Sequence, residues 1–369
     1  MVTTEALAEV AAYKRRTLLD HTIVGVPLLA GGVLRALLSA AARPFRRHEL
    51  GWTLHQECLL AVMRHVLSAR DLGVWRALFS VAGGLVELPG QVRTPIAPGS
   101  KSFWIALRDD LRPASPRGAL TIAFVHGGGF IAGSSLHYVG TYDVWLRQLA
   151  ARGIDARILS VHYPLAPEHP YPAGRDEVER VLSWLVHESG ETAPLVVGGD
   201  SAGANLLLAS LARLRDAGRL PAAARPRGAL LISPCVDLSP ESHMRSASAA
   251  PAAAKHDYLP AQHVNELVTH YYISDKDSRC PYASPALLPS FDGLVEGEVL
   301  VVWGGTEVLA PDIRAFAKRL AAADGSGSGP RASFYEAPGQ VHSWPLLLLP
   351  GVERHEAPMW AFMERALGA

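Results

Sequence analysis

The segment Gly199-Asp200-Ser201-Ala202-Gly203 is the strongest local signal in the sequence. It follows a short apolar run over 194–198 and precedes a helical stretch over 204–217, so it predicts a sharp strand–turn–helix connection. Such a turn needs small residues, because the backbone passes close to its neighbours. A serine held there lies at the amino end of a helix, where developing negative charge is favoured. We therefore interpret Ser201 as a nucleophile.

Short apolar runs continue on both sides of this segment and alternate with helical stretches. Each run is almost continuously apolar, which is typical of strands buried on both faces of a parallel sheet. The alternation predicts an α/β fold with a mostly parallel central sheet and helices on both faces. Two extended pieces over 85–92 and 102–108 would begin the sheet as an antiparallel hairpin. The predicted strands cover 120–125, 156–161, 194–198, 229–233, 298–303 and 332–335, and the predicted helices cover 141–152, 176–188, 202–217 and 311–323.

Two regions fall outside this alternation. Residues 1–80 are mostly helical in pattern, and residues from about 239 to 280 form a long insertion rich in Ala, Ser and His. Insertions of this length inside a compact domain are usually functional. We predict that both regions build a cap over the carboxyl edge of the sheet, where open α/β folds bind ligands. The predicted organisation is an N-terminal helical segment over 1–80 and a catalytic domain over 81–369.

The N-terminal segment contains an apolar run over 22–34 that ends at Arg35. The run is shorter than the roughly 20 residues that a membrane-spanning helix needs. We predict an amphipathic or buried cap helix over 17–42. The alternative is a helix that lies on a membrane surface, because Arg43, Arg46 and Arg47 follow directly. This alternative places a peripheral membrane contact in residues 17–47.

Composition excludes several classes of protein. Lys+Arg and Asp+Glu both total 35, so a basic face for nucleic acid is not expected. The apolar fraction is 49%, which indicates a globular chain rather than a disordered one. Cys58, Cys235 and Cys280 are scattered, so neither a disulfide framework nor a zinc site is predicted. We expect no metal and no cofactor, and a location inside the cell, cytoplasmic or membrane-associated.

A second motif, His126-Gly127-Gly128-Gly129-Phe130, follows the predicted strand 120–125. Successive glycines expose backbone N–H groups that can point at one oxygen, and together with the Ala202 N–H they would form an oxyanion hole. The competing interpretation is a phosphate-binding loop. No Lys-Ser/Thr pair follows on a helix, so a P-loop is not supported.

A serine needs a base, and the base needs a carboxylate that orients it. With the nucleophile on a strand–turn–helix connection, the expected chain order is serine, acid, histidine. His342 lies just after the last predicted strand, where a base on a loop is expected. Two carboxylates, Glu307 and Asp312, follow the strand 298–303. We favour Glu307 because it is closer to the strand end, and Asp312 is the alternative.

Taken together, these motifs resemble the hormone-sensitive lipase-like branch of the α/β-hydrolases, a group of carboxylesterases. The motifs that carry the resemblance are 126–130, 199–203, Leu165-Ala-Pro-Glu-His-Pro170, Ser284-Pro285 and Val341-His342. The resemblance implies that the N–H groups of Gly128, Gly129 and Ala202 form the oxyanion hole. It also implies that the cap lines the acyl and alcohol pockets, and it allows a homodimer.

The sequence departs from the family pattern at two places. The family most often has Asp in a D-P-L-x-D pattern where this chain has Glu307, although Glu serves as the acid in related hydrolases. An arginine expected in the turn before Leu165 is replaced by Pro164. Some plant relatives became hormone receptors by losing the catalytic histidine, whereas this chain keeps His342.

The function implied is hydrolysis of short- to medium-chain, lipophilic carboxylic esters by Ser201, His342 and Glu307 through an acyl-enzyme. The expected partner is a small-molecule ester substrate. Two alternatives use the same residues or the same cavity. One is a non-hydrolytic acyltransferase or lyase, and the other is a small-molecule receptor.

Overall fold

A computed structural model provides the structure of the protein. It describes residues 30–34, 38, 50, 52–68, 72–76, 79, 88–113, 117–243, 256–260, 266, 268–327, 329–349 and 351–368.

Within this described part, eight strands form one sheet. The central strands are buried along nearly their whole length, as their continuous apolar sequences predict. The strands are β1 Gln91–Pro95, β2 Phe103–Leu107, β3 Gly118–Val125, β4 Ile154–Val161, β5 Leu195–Asp200, β6 Gly228–Ile232, β7 Glu298–Gly304 and β8 Arg331–Ala337.

The strand order across the sheet is β1-β2-β4-β3-β5-β6-β7-β8. β2 pairs antiparallel with both β1 and β4, and all the other pairs are parallel. The predicted α/β fold with a mostly parallel sheet is confirmed. Because β3 to β8 run in parallel, their carboxyl ends lie at one edge of the sheet.

The predicted antiparallel hairpin is also confirmed, but the predicted position of its first strand, 85–92, is wrong. The strand is β1, over 91–95, and the two residues before it, Pro89 and Gly90, form a turn. Pro89 has no N–H to donate to a ladder, and Gly90 has a φ of 89°, which is typical of a turn. Residues 85–87 lie outside the described residues.

Helices cover both faces of the sheet. The core forms two apolar layers, because neighbouring residues of a strand point to opposite faces. In β3, Ile122 and Phe124 pack in one layer and Ala123 and Val125 in the other. The main helices are α1 Leu54–Leu67, α2 Val139–Ala151, α3 Ala173–His187, α4 Ser201–Asp216, α5 Asp275–Ser278, α6 Ala310–Gly325 and α7 Ala357–Ala366.

The two layers belong to different helices. The layer that contains Phe124 also contains side chains of α2 and α7, such as Trp145 and Phe362. The layer that contains Val125 also contains side chains of α1, α3, α4 and α6, such as Leu60 and Ile313. The helix α1 of the N-terminal segment is therefore part of the packed molecule.

Much of the predicted cap lies outside the described residues. Of the predicted helix over 17–42, residues 30–34 and 38 are described and are helical. Of the insertion over 239–280, residues 244–255, 261–265 and 267 lie outside the description. None of the helices in the described part of the chain has the length and apolarity needed to cross a membrane. The division into residues 1–80 and 81–369 stays a prediction.

Candidate active site

Ser201 lies where β5 meets α4. The strand ends at Asp200, and the helix begins at Ser201 itself. The φ of Ser201 is 50°, in the left-handed region that residues with a side chain rarely adopt. Gly203 lets this turn lie against the end of β3, because a Cβ atom there would collide with the Val125 carbonyl oxygen. The predicted strand–turn–helix connection is present.

The glycine run after β3 passes beside this turn. The Gly127 N–H donates to Asp200 Oδ1 at 2.7 Å, which holds the run against the serine turn. Gly128 and Gly129 have φ values of 114° and 61°, and their N–H groups donate no hydrogen bond within the described residues. Ala202 lies in the first turn of α4, where N–H groups have no acceptor in the helix. The oxyanion hole predicted from these three N–H groups therefore stays a prediction that their lack of acceptors permits.

Glu307 follows β7 and is fully buried. Its Oε2 accepts the Gly304 N–H at 2.7 Å and the Ser233 hydroxyl at 2.6 Å. Its Oε1 lies 3.4 Å from His342 Nδ1. The two donors hold the carboxylate so that its other oxygen faces the imidazole.

His342 is buried on the loop after β8. Burial alone lowers the pKa of an imidazole, because the charged form loses its water. The hydrogen bond and charge of Glu307, with the charges of Asp257 and Asp200, outweigh burial and leave the pKa of His342 raised. The imidazole is therefore a stronger base than an ordinary histidine.

Asp200, next to the serine, accepts hydrogen bonds from three other parts of the site. Its Oδ1 accepts the Gly127 N–H, and its Oδ2 accepts the Tyr138 hydroxyl at 2.9 Å and the Ser343 hydroxyl at 3.1 Å. Burial raises the pKa of Asp200 to about 6, although these hydrogen bonds and the nearby His342 act against the rise. Asp200 thus connects the serine turn, the glycine run and the histidine loop.

The structure brings Glu307 and His342 into direct contact. The Asp200–Ser343 hydrogen bond joins the residue before Ser201 to the residue after His342. No hydrogen bond joins Ser201 to His342 in the part of the chain that the structure describes. In apo structures such contacts are often long, and they tighten when substrate binds.

The other predicted acid, Asp312, has a different contact. It lies in the first turn of α6, and its Oδ1 accepts the His243 N–H at 2.8 Å. This bond connects α6 to the beginning of the insertion. Among the described residues, no hydrogen bond joins Asp312 to His342.

Sequence reasoning missed three polar side chains of this site, Ser233, Ser343 and Asp257. The Ser233 hydroxyl accepts the Ser343 N–H at 2.9 Å while it donates to Glu307. Ser233 directly follows β6 at the carboxyl edge of the sheet, and Ser343 directly follows the predicted base. Both could therefore have been predicted as site residues from their positions in the sequence. No local signal in the sequence indicates Asp257, which lies in the insertion.

The chain matches known proteins over most of its length. A family described as having the α/β-hydrolase fold matches residues 122–346. An esterase of Acinetobacter venetianus is 33% identical over 204 residues, which are 55% of this chain and 62% of that protein. An acetyl-hydrolase of Streptomyces hygroscopicus is 31% identical over 263 residues, which are 70% of this chain and 79% of that protein. The chain belongs to the α/β-hydrolase family, which confirms the family expected from its motifs.

Solved structures agree in fold. An esterase/lipase from an uncultured bacterium superposes with a TM-score of 0.66 at 24% identity, covering 86% of this chain and 100% of that chain. An esterase from the bacterial hormone-sensitive lipase family gives a TM-score of 0.66 at 24% identity, covering 86% of this chain and 99% of that chain. At this identity the likeness concerns the fold of the central sheet and its helices.

Proposed function

We propose that this protein is a serine carboxylesterase that hydrolyses short- to medium-chain, lipophilic carboxylic esters. The observation that carries the proposal is the buried contact between Glu307 and His342, held beside the Ser201 turn by the Asp200–Ser343 hydrogen bond. A serine, an acid and a histidine in this chain order are the parts that acyl transfer needs. The named activities of the two relatives, an esterase and an acetyl-hydrolase, support the same class of reaction.

The proposed mechanism has two steps. His342 takes the proton of the Ser201 hydroxyl as the serine oxygen attacks the ester carbonyl carbon. The N–H groups of Gly128, Gly129 and Ala202 bind the oxyanion, and His342 gives the proton to the leaving alcohol. His342 then takes a proton from water as the water oxygen attacks the acyl carbon. The bond between that carbon and the Ser201 oxygen breaks, His342 returns the proton to the serine oxygen, and the acid is released.

Glu307 has a specific part in both steps. Its Oε1 faces His342 Nδ1, so the ring nitrogen away from Glu307 is left to exchange protons with Ser201. Its charge also stabilises the imidazolium that forms during each step. The buried position of Glu307 strengthens this interaction, because water screens it little.

The first test is hydrolysis of p-nitrophenyl esters from acetate to palmitate by the wild type and Ser201→Ala. We expect turnover to be highest for short or medium chains and to be lost in the variant. The kcat/KM of the wild type should rise with pH through a pKa above 6.5, because the base is active when neutral and the pKa of His342 is raised. Full activity in folded Ser201→Ala would contradict the proposal.

A second proposal concerns the N-terminal segment. We propose that residues 17–47 contact a membrane surface, because Val33, Leu34 and Leu38 are 46%, 58% and 62% exposed in the described helical pieces and three arginines follow. The full chain should float with anionic liposomes, and a chain without residues 1–45 should not. Equal flotation of both would contradict this contact. The homodimer and the location inside the cell stay predictions.

A further inference from the structure

Asp257 lies in the insertion between β6 and β7 and is fully buried. Its carboxylate accepts hydrogen bonds from two different loops. Oδ2 accepts the Val308 N–H at 2.8 Å, and Oδ1 accepts the His342 N–H at 3.3 Å. Val308 directly follows Glu307, so one carboxylate holds the peptide groups beside both the proposed acid and the proposed base.

The N-terminal segment holds Asp257 from the other side. The Arg64 guanidinium, on α1, donates to the Asp257 carbonyl oxygen at 2.7 Å from Nε. The Trp52 ring meets the His256 ring edge-on at 6.1 Å, and its Nε1–H donates to the Gly339 carbonyl oxygen at 2.7 Å. The two parts of the predicted cap therefore meet at Asp257, in contact with the loop that carries His342.

Several charged groups lie around His342. Three buried carboxylates, Glu307, Asp257 and Asp200, act on its imidazole, and the Tyr258 ring lies 6.3 Å away. Burial raises the pKa of Asp257 to about 6, and it raises the pKa of Tyr258 well above its usual range. At neutral pH the carboxylates of Asp200 and Asp257 are therefore ionised and Tyr258 is neutral.

We propose that Asp257 is a positioning residue of the active site. Through it, the cap holds the loop that carries Glu307 and the loop that carries His342 in fixed relative positions. The proposal rests on the proposed esterase function. Because an imidazolium forms beside Asp257 in both steps, the same carboxylate also favours proton transfer to His342.

The test replaces Asp257 by Asn, which keeps the shape and removes the charge and one acceptor. We expect the pKa of His342, followed by NMR titration of its ring and assigned by signal loss in His342→Gln, to fall by about one unit. We also expect kcat to fall about ten-fold with KM nearly unchanged. The control is Asp324→Asn, because the Asp324 carboxylate accepts a backbone N–H, that of Ala332 in β8, at 3.1 Å, and it lies away from the site. The control should change neither quantity.

A second variant keeps the proposal testable if Asp257→Asn does not fold. Val308 is the second residue of a turn in which the Ala310 N–H donates to the Glu307 carbonyl, a position that favours proline. Val308→Pro removes the N–H donated to Asp257 and exchanges the buried valine side chain for a proline ring, and we expect kcat to fall several-fold. An unchanged kcat in this variant would overturn the proposal.

The outcomes for Asp257 and for the esterase function are separable. Folded Asp257→Asn with an unchanged His342 pKa would overturn the proposal, even if its Tm fell, because a purely structural role shifts stability alone. The ring titration needs no turnover, so it reports on Asp257 independently of substrate. Failure of the esterase proposal would instead show as ester hydrolysis by Ser201→Ala at the rate of the wild type.

Discussion

Two carboxylates compete for the role of acid at the scale of single residues. Only five positions of sequence separate Glu307 from Asp312, and Glu307 is preferred because it is closer to the end of β7. The structure separates them by contact, since Glu307 Oε1 faces His342 Nδ1 while Asp312 accepts a backbone N–H of the insertion. Glu307 is the residue that the proposed mechanism requires to orient the base.

Glu307→Gln tests this assignment. An amide in place of the carboxylate permits the wrong imidazole tautomer and removes the charge that stabilises the imidazolium, so we expect kcat to fall about 10³- to 10⁴-fold. Asp312→Asn keeps an oxygen for the His243 N–H and should change kcat little. Steady-state hydrolysis of one p-nitrophenyl ester by both variants decides between them. A large loss in Asp312→Asn with a small loss in Glu307→Gln would reverse the assignment.

At the scale of elements, the carboxyl ends of five parallel strands build the site. The ends of β3 and β5 carry the glycine run and Ser201, and the end of β6 carries Ser233. The loops after β7 and β8 carry Glu307 and His342. Each motif could be placed from the sequence because it directly follows a strand, and parallel strands end at one edge of the sheet.

The insertion is the element that sequence reasoning could not place in detail. Its Asp257 contacts Val308 and His342, which lie 51 and 85 residues further along the chain. A contact between such distant positions leaves no periodicity or spacing in the sequence. The predicted cap region was therefore recognisable by its length, while the residue that connects it to the site was not.

Buried histidines affect the stability of the whole molecule. Burial lowers the pKa of His126 to about 3 and the pKa values of His137 and His162 to about 4. Between pH 6.5 and about 4 the unfolded chain binds protons that these folded side chains do not, so they make stability fall as pH falls through this range. Asp200 and Asp257 act in the opposite sense, because their raised pKa values let the folded state bind protons below about pH 6.

His137→Phe should isolate one of these contributions. The His137 ring stacks on Tyr138 at 4.3 Å, and its Nδ1 is buried without a hydrogen-bond partner among the described residues, so phenylalanine can replace the ring. We expect the free energy of unfolding to fall less steeply with acid in the variant, by at most about 1.4 kcal/mol per pH unit. Urea unfolding between pH 7 and 4.5 measures this difference, and values at pH 8 provide the reference. Parallel curves for the two proteins would contradict it.

The features that depend on local backbone chemistry could be predicted from the sequence alone. Continuous apolar runs gave the parallel sheet, and glycines beside Ser201 and in the 126–130 run gave the turns that only small residues allow. The pairing of polar groups, by contrast, depends on the tertiary structure: Asp200 meets Ser343, Ser233 meets Glu307, and Asp257 meets His342. Such contacts join separate strand ends, and their partners are fixed by how the sheet twists and how the cap packs. The residues on either side of a polar group in the chain do not indicate how it will pack.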